Sequence, residues 1–184
     1  MRHENLRVLH LSLVTHFTLE DGKKTMGMRI GTPMPSLEGA TEWFGGTQAH
    51  AESEAAGRPT LVHFWSMSCG ICKDNMPRIT EWRESLKEQG LRVIAVHMPR
   101  YEADTDVEGV RMLIANLDMT EPCAIDNEHK IKDAFQNDQG YVPAYYLFDS
   151  EGKLRSFAAG ERGLDLLKAT LDRVMAQGAP AQTA

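Results

Sequence analysis

Where an apolar strand gives way to a helix, the chain carries the run Phe64-Trp65-Ser66-Met67-Ser68-Cys69-Gly70-Ile71-Cys72-Lys73-Asp74-Asn75-Met76-Pro77. Two cysteines two residues apart at such a junction suit redox chemistry better than a structural bridge. The thiolate is the nucleophile of thiol–disulfide exchange, and the unpaired N–H groups and dipole of a helix N-terminus stabilise it. Cys69 is expected as the exposed thiol of the first helical turn. Cys72 falls about one turn deeper, where it can attack a mixed disulfide formed at Cys69.

Bulk composition narrows the remaining classes. Three cysteines are an odd count, which argues against a disulfide scaffold. A chain of 184 residues, 42% of them hydrophobic, builds one domain with a well-formed core. The net charge is −6 and the basic residues do not cluster, which excludes a nucleic-acid surface.

Leu6 to Phe17 looks briefly like a signal-peptide core, but Arg7, His10 and His16 interrupt it. It is too short to span a bilayer, and no small-residue cleavage site follows. Met26 and Met28 stand just before Gly31-Thr32-Pro33-Met34-Pro35, where domain-like sequence begins. Residues 1–27 therefore read as a loosely ordered extension or an over-extended start, 28–178 as the folded domain and 179–184 as a disordered tail. The expected compartment is the cytoplasm, without a membrane partner, and the expected state is a monomer.

From Gly31 onward strands and helices alternate. Residues 33–46 read as irregular or hairpin structure holding Trp43 and Phe44. Thr60–Trp65 is a β-rich run. A helix from about Gly70 to Lys87 aligns Cys72, Met76, Ile79, Trp82 and Leu86 on one face. Pro77 lies inside it and predicts a kink after the active-site turn. Leu91–His97 is a second buried strand, stopped by Pro99. Thr105 and Glu108 form a capping box opening a helix with Val107, Val110, Leu113, Ile114 and Leu117 inward. Glu102–Asp106 reads as an exposed acidic face. Cys123–Ile125 is a brief strand, and Asp126 caps a short helix that buries Ile131 and Phe135. Ala144–Phe148 and Lys153–Ala158 form a hairpin around the turn Asp149–Gly152. A last helix runs from Leu164 to Gln177, with Gly178 as its stop signal. These elements give a mixed α/β sheet with helices on both faces.

Four spaced motifs carry a family resemblance. The strand into Trp65, the pair Cys69-Gly70-Ile71-Cys72-Lys73, and Pro77 five residues after the second cysteine resemble a thioredoxin-fold active site. Tyr141-Val142-Pro143-Ala144-Tyr145-Tyr146-Leu147-Phe148-Asp149 resembles that family's cis-proline strand. The helix-and-strand insert between residues 105 and 125 is similar to the TlpA/ResA-like branch. The dithiol motif, Ala95-Val96-His97-Met98-Pro99-Arg100 and the Val142-Pro143 strand closely resemble the soluble YkuV-type thiol–disulfide oxidoreductases. The likeness covers about residues 31–176.

The resemblance implies a thioredoxin fold and a cis Val142–Pro143 bond facing the dithiol. It implies that Val142 offers its backbone to an extended substrate segment and that Pro143 screens the sulfurs from metals. The alternative for Pro143 is an ordinary turn proline. Ser68 stands where thioredoxin has an exposed tryptophan, so with Gly70 and Ile71 it makes a flatter or more polar binding rim. His63 stands where thioredoxin has a buried acid. It is either a proton acceptor for Cys72 or a satisfied core histidine. Trp65 packs beneath the turn. Cys123 is a small buried hydrophobe, or else a second resolving thiol or a glutathionylation site.

The expected reaction is reduction of disulfide-containing protein substrates. An external thiol reductant or reductase must recharge the dithiol, because the chain has no flavin or nucleotide motif. No cofactor and no metal is expected. A peroxiredoxin-like peroxidase needs P-x-x-x-[TS]-x-x-C, where this chain has Val62 in place of the proline and matches only at Ser66. A zinc module needs two more ligands near the pair. A non-catalytic thioredoxin-fold adaptor is the remaining alternative.

Overall fold

The computed structural model describes residues 27–178. The readings of the N-terminal extension and the C-terminal tail lie outside the described residues.

Strands β1 (Glu42–Phe44), β2 (Thr60–Trp65), β3 (Arg92–His97), β4 (Cys123–Ile125), β5 (Ala144–Phe148) and β6 (Leu154–Ala159) form one sheet in the order β1-β4-β3-β2-β5-β6. β2, β3 and β4 run parallel, while β1, β5 and β6 pair antiparallel with their neighbours. All six residues of β2 are buried, as expected of a strand covered on both faces. β6, at an edge, keeps Arg155 exposed.

Side-chain alternation splits the core into two layers. On one face Leu61, Trp65, Val93, Ala95, Tyr145 and Leu147 pack against α2 (Gly70–Leu86), α3 (Val107–Asn116) and α5 (Gly163–Gly178). On the other, Val62, Phe64, Ile94, Val96, Tyr146 and Phe148 meet α1 (Gln48–Ala55) and α4 (Lys130–Ala134). Phe64, Phe135 and Tyr146 close this second layer edge to face, at 5.2–5.6 Å between centroids.

Several expectations are corrected. Trp43 and Phe44 belong to no hairpin: β1 pairs with β4, Glu42 opposite Ile125. Helix α1 lacks an apolar stripe, burying only Ala51 and Ala55, and is signalled by Thr47, whose hydroxyl accepts from the His50 amide. α3 starts at Val107 behind Asp106, and Thr105 instead closes a 3-10 turn, Glu102–Thr105, by donating to the Glu102 carbonyl. Asp126 does cap α4, accepting from the Ile131 and Lys132 amides at 3.0 and 2.7 Å, although His129 occupies the N-cap position. Pro77 lies inside α2 as expected, and the helix ends at Leu86.

Candidate active site

β2 ends at Trp65 and α2 begins at Gly70, so Ser66–Cys69 make the connecting turn. Cys69 is the N-cap of α2, and its sulfur accepts the Cys72 amide at 3.1 Å. The two cysteines are joined as a disulfide. Cys69 is only 3% exposed and Cys72 1%, so the expectation of an exposed Cys69 within the first turn is corrected for this oxidised form. The bond to Cys72 draws its sulfur against the core, and Gly70 and Ile71 are left as the exposed rim. A thiolate released at Cys69 faces the open amides of α2, the arrangement that stabilises a charged sulfur.

Trp65 lies wholly buried under the turn, its ring edge-on to His97 at 5.0 Å. The Met67 amide donates to His97 Nε2 at 3.2 Å, which assigns the ring proton to Nδ1. Burial pushes the His97 pKa down to about 4, against the opposing pull of the Asp104 charge, so the imidazole is neutral near pH 7.

Asp104 overturns the reading of Glu102–Asp106 as a solvated face, because its side chain is turned inward and is 2% exposed. One carboxylate oxygen, Oδ2, accepts from Ser66 Oγ at 2.7 Å and Ser68 Oγ at 2.8 Å. It also accepts from the Arg100 and Tyr101 amides at 3.0 and 3.3 Å. Burial raises its pKa, but these four donors outweigh that and hold it below the usual carboxylate value. Ser68 is therefore tied to the 3-10 turn, although it remains exposed at the rim.

His63, on the same face of β2 as Trp65, meets a partner that sequence reasoning missed. Its Nε2 lies 3.1 Å from Glu121 Oε1, and the other Glu121 oxygen takes the Arg83 guanidinium. His63 and Glu121 are almost wholly buried. Burial alone raises the Glu121 pKa. The hydrogen bond to His63, a backbone amide and Arg83 reverse that and bring it to about 2. The buried acid of this layer thus arrives from the residue two before β4 rather than from β2.

The Val142–Pro143 bond is cis. Ala144 pairs with Phe64, which puts Pro143 at the sheet end where Trp65 leads into the dithiol. Pro143 is buried, its carbonyl accepts the Gly160 amide at 2.9 Å, and Val142 packs against the layer holding Cys69 and Cys72. Asn75, another residue missed from sequence, ties α2 to β5 by donating to the Tyr145 hydroxyl at 2.9 Å. Cys123 is fully buried in β4, and burial pushes its thiol up to about 12. Among the described residues no group of three or more His, Cys, Asp or Glu side chains is placed to hold a metal, and no helix is long and apolar enough to cross a membrane.

The AhpC/TSA family matches residues 30–157. The chain is 43% identical over 150 residues to the thiol-disulfide oxidoreductase YkuV of Bacillus subtilis, covering 82% of this chain and 99% of that one. It is 26% identical over 125 residues to the thiol-disulfide oxidoreductase ResA of Oceanobacillus iheyensis, covering 68% and 62% respectively. The solution structure of a thioredoxin-like protein in its oxidised form superposes with a TM-score of 0.72 at 43% identity, over 82% of this chain and 99% of that one.

Proposed function

The chain belongs to the AhpC/TSA family and is a thiol–disulfide oxidoreductase of thioredoxin fold, and from that premise we propose that Cys69 is the attacking thiol and Cys72 the resolving one. The carrying observation is the placement of Cys69 at the N-cap of α2, with Cys72 one turn behind it. The Cys69 thiolate attacks a partner disulfide, expelling one partner thiolate and forming a mixed disulfide. Cys72 loses its proton and attacks the Cys69 sulfur. The second partner thiolate leaves, and two electrons have passed from the dithiol to the partner.

Ser68, Gly70 and Ile71 on one side, and Val142 and Pro143 on the other, form the surface we assign to the substrate segment. Val142 supplies backbone hydrogen bonds and Ile71, 42% exposed, an apolar contact. His63 is assigned the Cys72 proton, with Glu121 fixing the imidazole through Nε2. Trp65 supports the turn from beneath. We place the protein in a reducing cytoplasm, acting as a monomer on disulfide-containing proteins and recharged by an external thiol reductant or reductase.

The test is trapping. A Cys72→Ser variant mixed with an oxidised small protein should accumulate a mixed disulfide at Cys69, visible by intact mass and cleared by dithiothreitol. Formation of the adduct at Cys72 in a Cys69→Ser variant, but not at Cys69, reverses the assignment.

A further inference from the structure

Asp104 takes no direct part in the exchange steps, yet it is built into the turn that carries them. Four donors converge on its Oδ2, and two of them are the hydroxyls of Ser66 and Ser68, the second adjacent in sequence to Cys69. Among the described residues, no lysine, arginine or histidine side chain makes an ion pair with this carboxylate. The Arg100 guanidinium lies over the Tyr101 ring instead. The His97 ring, which feels the Asp104 charge, is neutral at pH 7, its Nε2 occupied by the Met67 amide. On α2 the charges next to the dithiol are Lys73 and Asp74, of opposite sign. A buried negative charge with no cationic partner is thus held beside the nucleophile.

We propose that Asp104 is a positioning residue of the exchange reaction: it locks the Ser66–Cys69 turn through the two serine hydroxyls, and its charge restrains ionisation of Cys69, biasing the couple toward a reductant. The inference rests on Cys69 being the attacking thiol. A charge that opposes a thiolate makes the reduced form costlier relative to the disulfide, which has no charge to oppose. The helix N-terminus pulls the other way, so Asp104 sets the balance between reactivity and reducing power.

Convergence on one oxygen provides a clean test. In Asp104→Asn the amide oxygen can accept all four donors while the NH2 takes the place of Oδ1, so the bonds stay and the charge goes. In a Cys72→Ser background, the pH dependence of Cys69 alkylation by iodoacetamide is followed with and without Asp104→Asn. In a medium of effective dielectric about 20, a unit charge within about 10 Å changes thiol ionisation by roughly tenfold or more. The expected result is an alkylation midpoint lowered by about one pH unit or more and a larger thiolate fraction at pH 7. With both cysteines present, the glutathione equilibrium should move toward the dithiol, approaching tenfold at pH values above the Cys69 midpoint. An unchanged midpoint, with Cys69 still reactive in both proteins, overturns this inference and leaves the nucleophile assignment standing. A Cys69 that is inert in the parent overturns the nucleophile assignment and this inference with it. Should Asp104→Asn not fold, Ser68→Ala serves: it strips one donor from the charge and should raise the midpoint, and a fall or no change overturns the proposal.

Discussion

Replacing Glu121 by Gln removes the centre of the buried His63–Glu121–Arg83 chain. The carboxyl, 2% exposed, is held at about 2 against an ordinary value of 4.5. At about 1.4 kcal/mol per pKa unit, that depression corresponds to roughly 3 kcal/mol of stability. The sign follows from which state binds protons. Below pH 4.5 the unfolded chain protonates this group, while the folded one resists until about pH 2. The contribution is complete above pH 4.5 and is lost as the pH falls through 2. Urea unfolding of the oxidised protein at pH 7 should therefore show Glu121→Gln destabilised by about 3 kcal/mol, a midpoint shift of about 1.5 M at a slope of about 2 kcal/mol/M. That cost is in the range for breaking a buried pair. Repeated in steps down to pH 3, the gap between the two stabilities should narrow to about 1.4 kcal/mol. A variant as stable as wild type at pH 7, or curves that descend in parallel, would mean that the buried Glu121 carboxylate does not stabilise the fold.

Other outcomes follow from the same geometry. His97 is held neutral with its pKa at about 4, whereas the unfolded chain takes the proton near 6.5. Stability should fall between pH 6.5 and 4, and His97→Gln should flatten the slope of Tm against pH in that window. Reduced native protein should release two equivalents from Ellman's reagent, the first on attack by Cys69 and the second as Cys72 resolves that adduct, and a third only after unfolding, because Cys123 is fully buried in β4. A methyl added at Gly163 meets the Tyr145 ring at 2.6 Å, so Gly163→Ala should cost about 1–3 kcal/mol in urea unfolding. At Gly70 a methyl meets nothing within 4 Å, so Gly70→Ala should change stability by less than about 1 kcal/mol.

What the sequence revealed was governed by local periodicity. The spacing of Cys72, Met76, Ile79 and Trp82 marks α2 because each is buried against the sheet. The unbroken apolar run Thr60–Trp65 marks the central strand for the same reason. The misreadings share a different cause. β1 is three residues long and its partner lies some eighty residues away, so no hairpin signal exists to find. α1 rests on two alanines and a threonine cap, and leaves almost no hydrophobic pattern. Asp104 looks solvated among Glu102 and Asp106, since its donors Ser66 and Ser68 come from 38 and 36 residues upstream. Glu121 joins His63 across 58 residues and Arg83 across 38. Covalent chemistry was legible at Cys69 and Cys72, whereas the polar groups that tune it are assembled only by the fold.

We hold that Cys69 and Cys72 form a working redox couple, which an equilibrium titration in glutathione buffers, with thiol trapping and intact-mass readout, reports on without an intermediary substrate. A reversible two-electron transition is expected, lost in both Cys69→Ser and Cys72→Ser, with a midpoint below about −250 mV as for a thioredoxin-like reductant. A midpoint between about −180 and −120 mV would contradict the reducing direction. The absence of any reversible Cys69–Cys72 transition would contradict the claim itself.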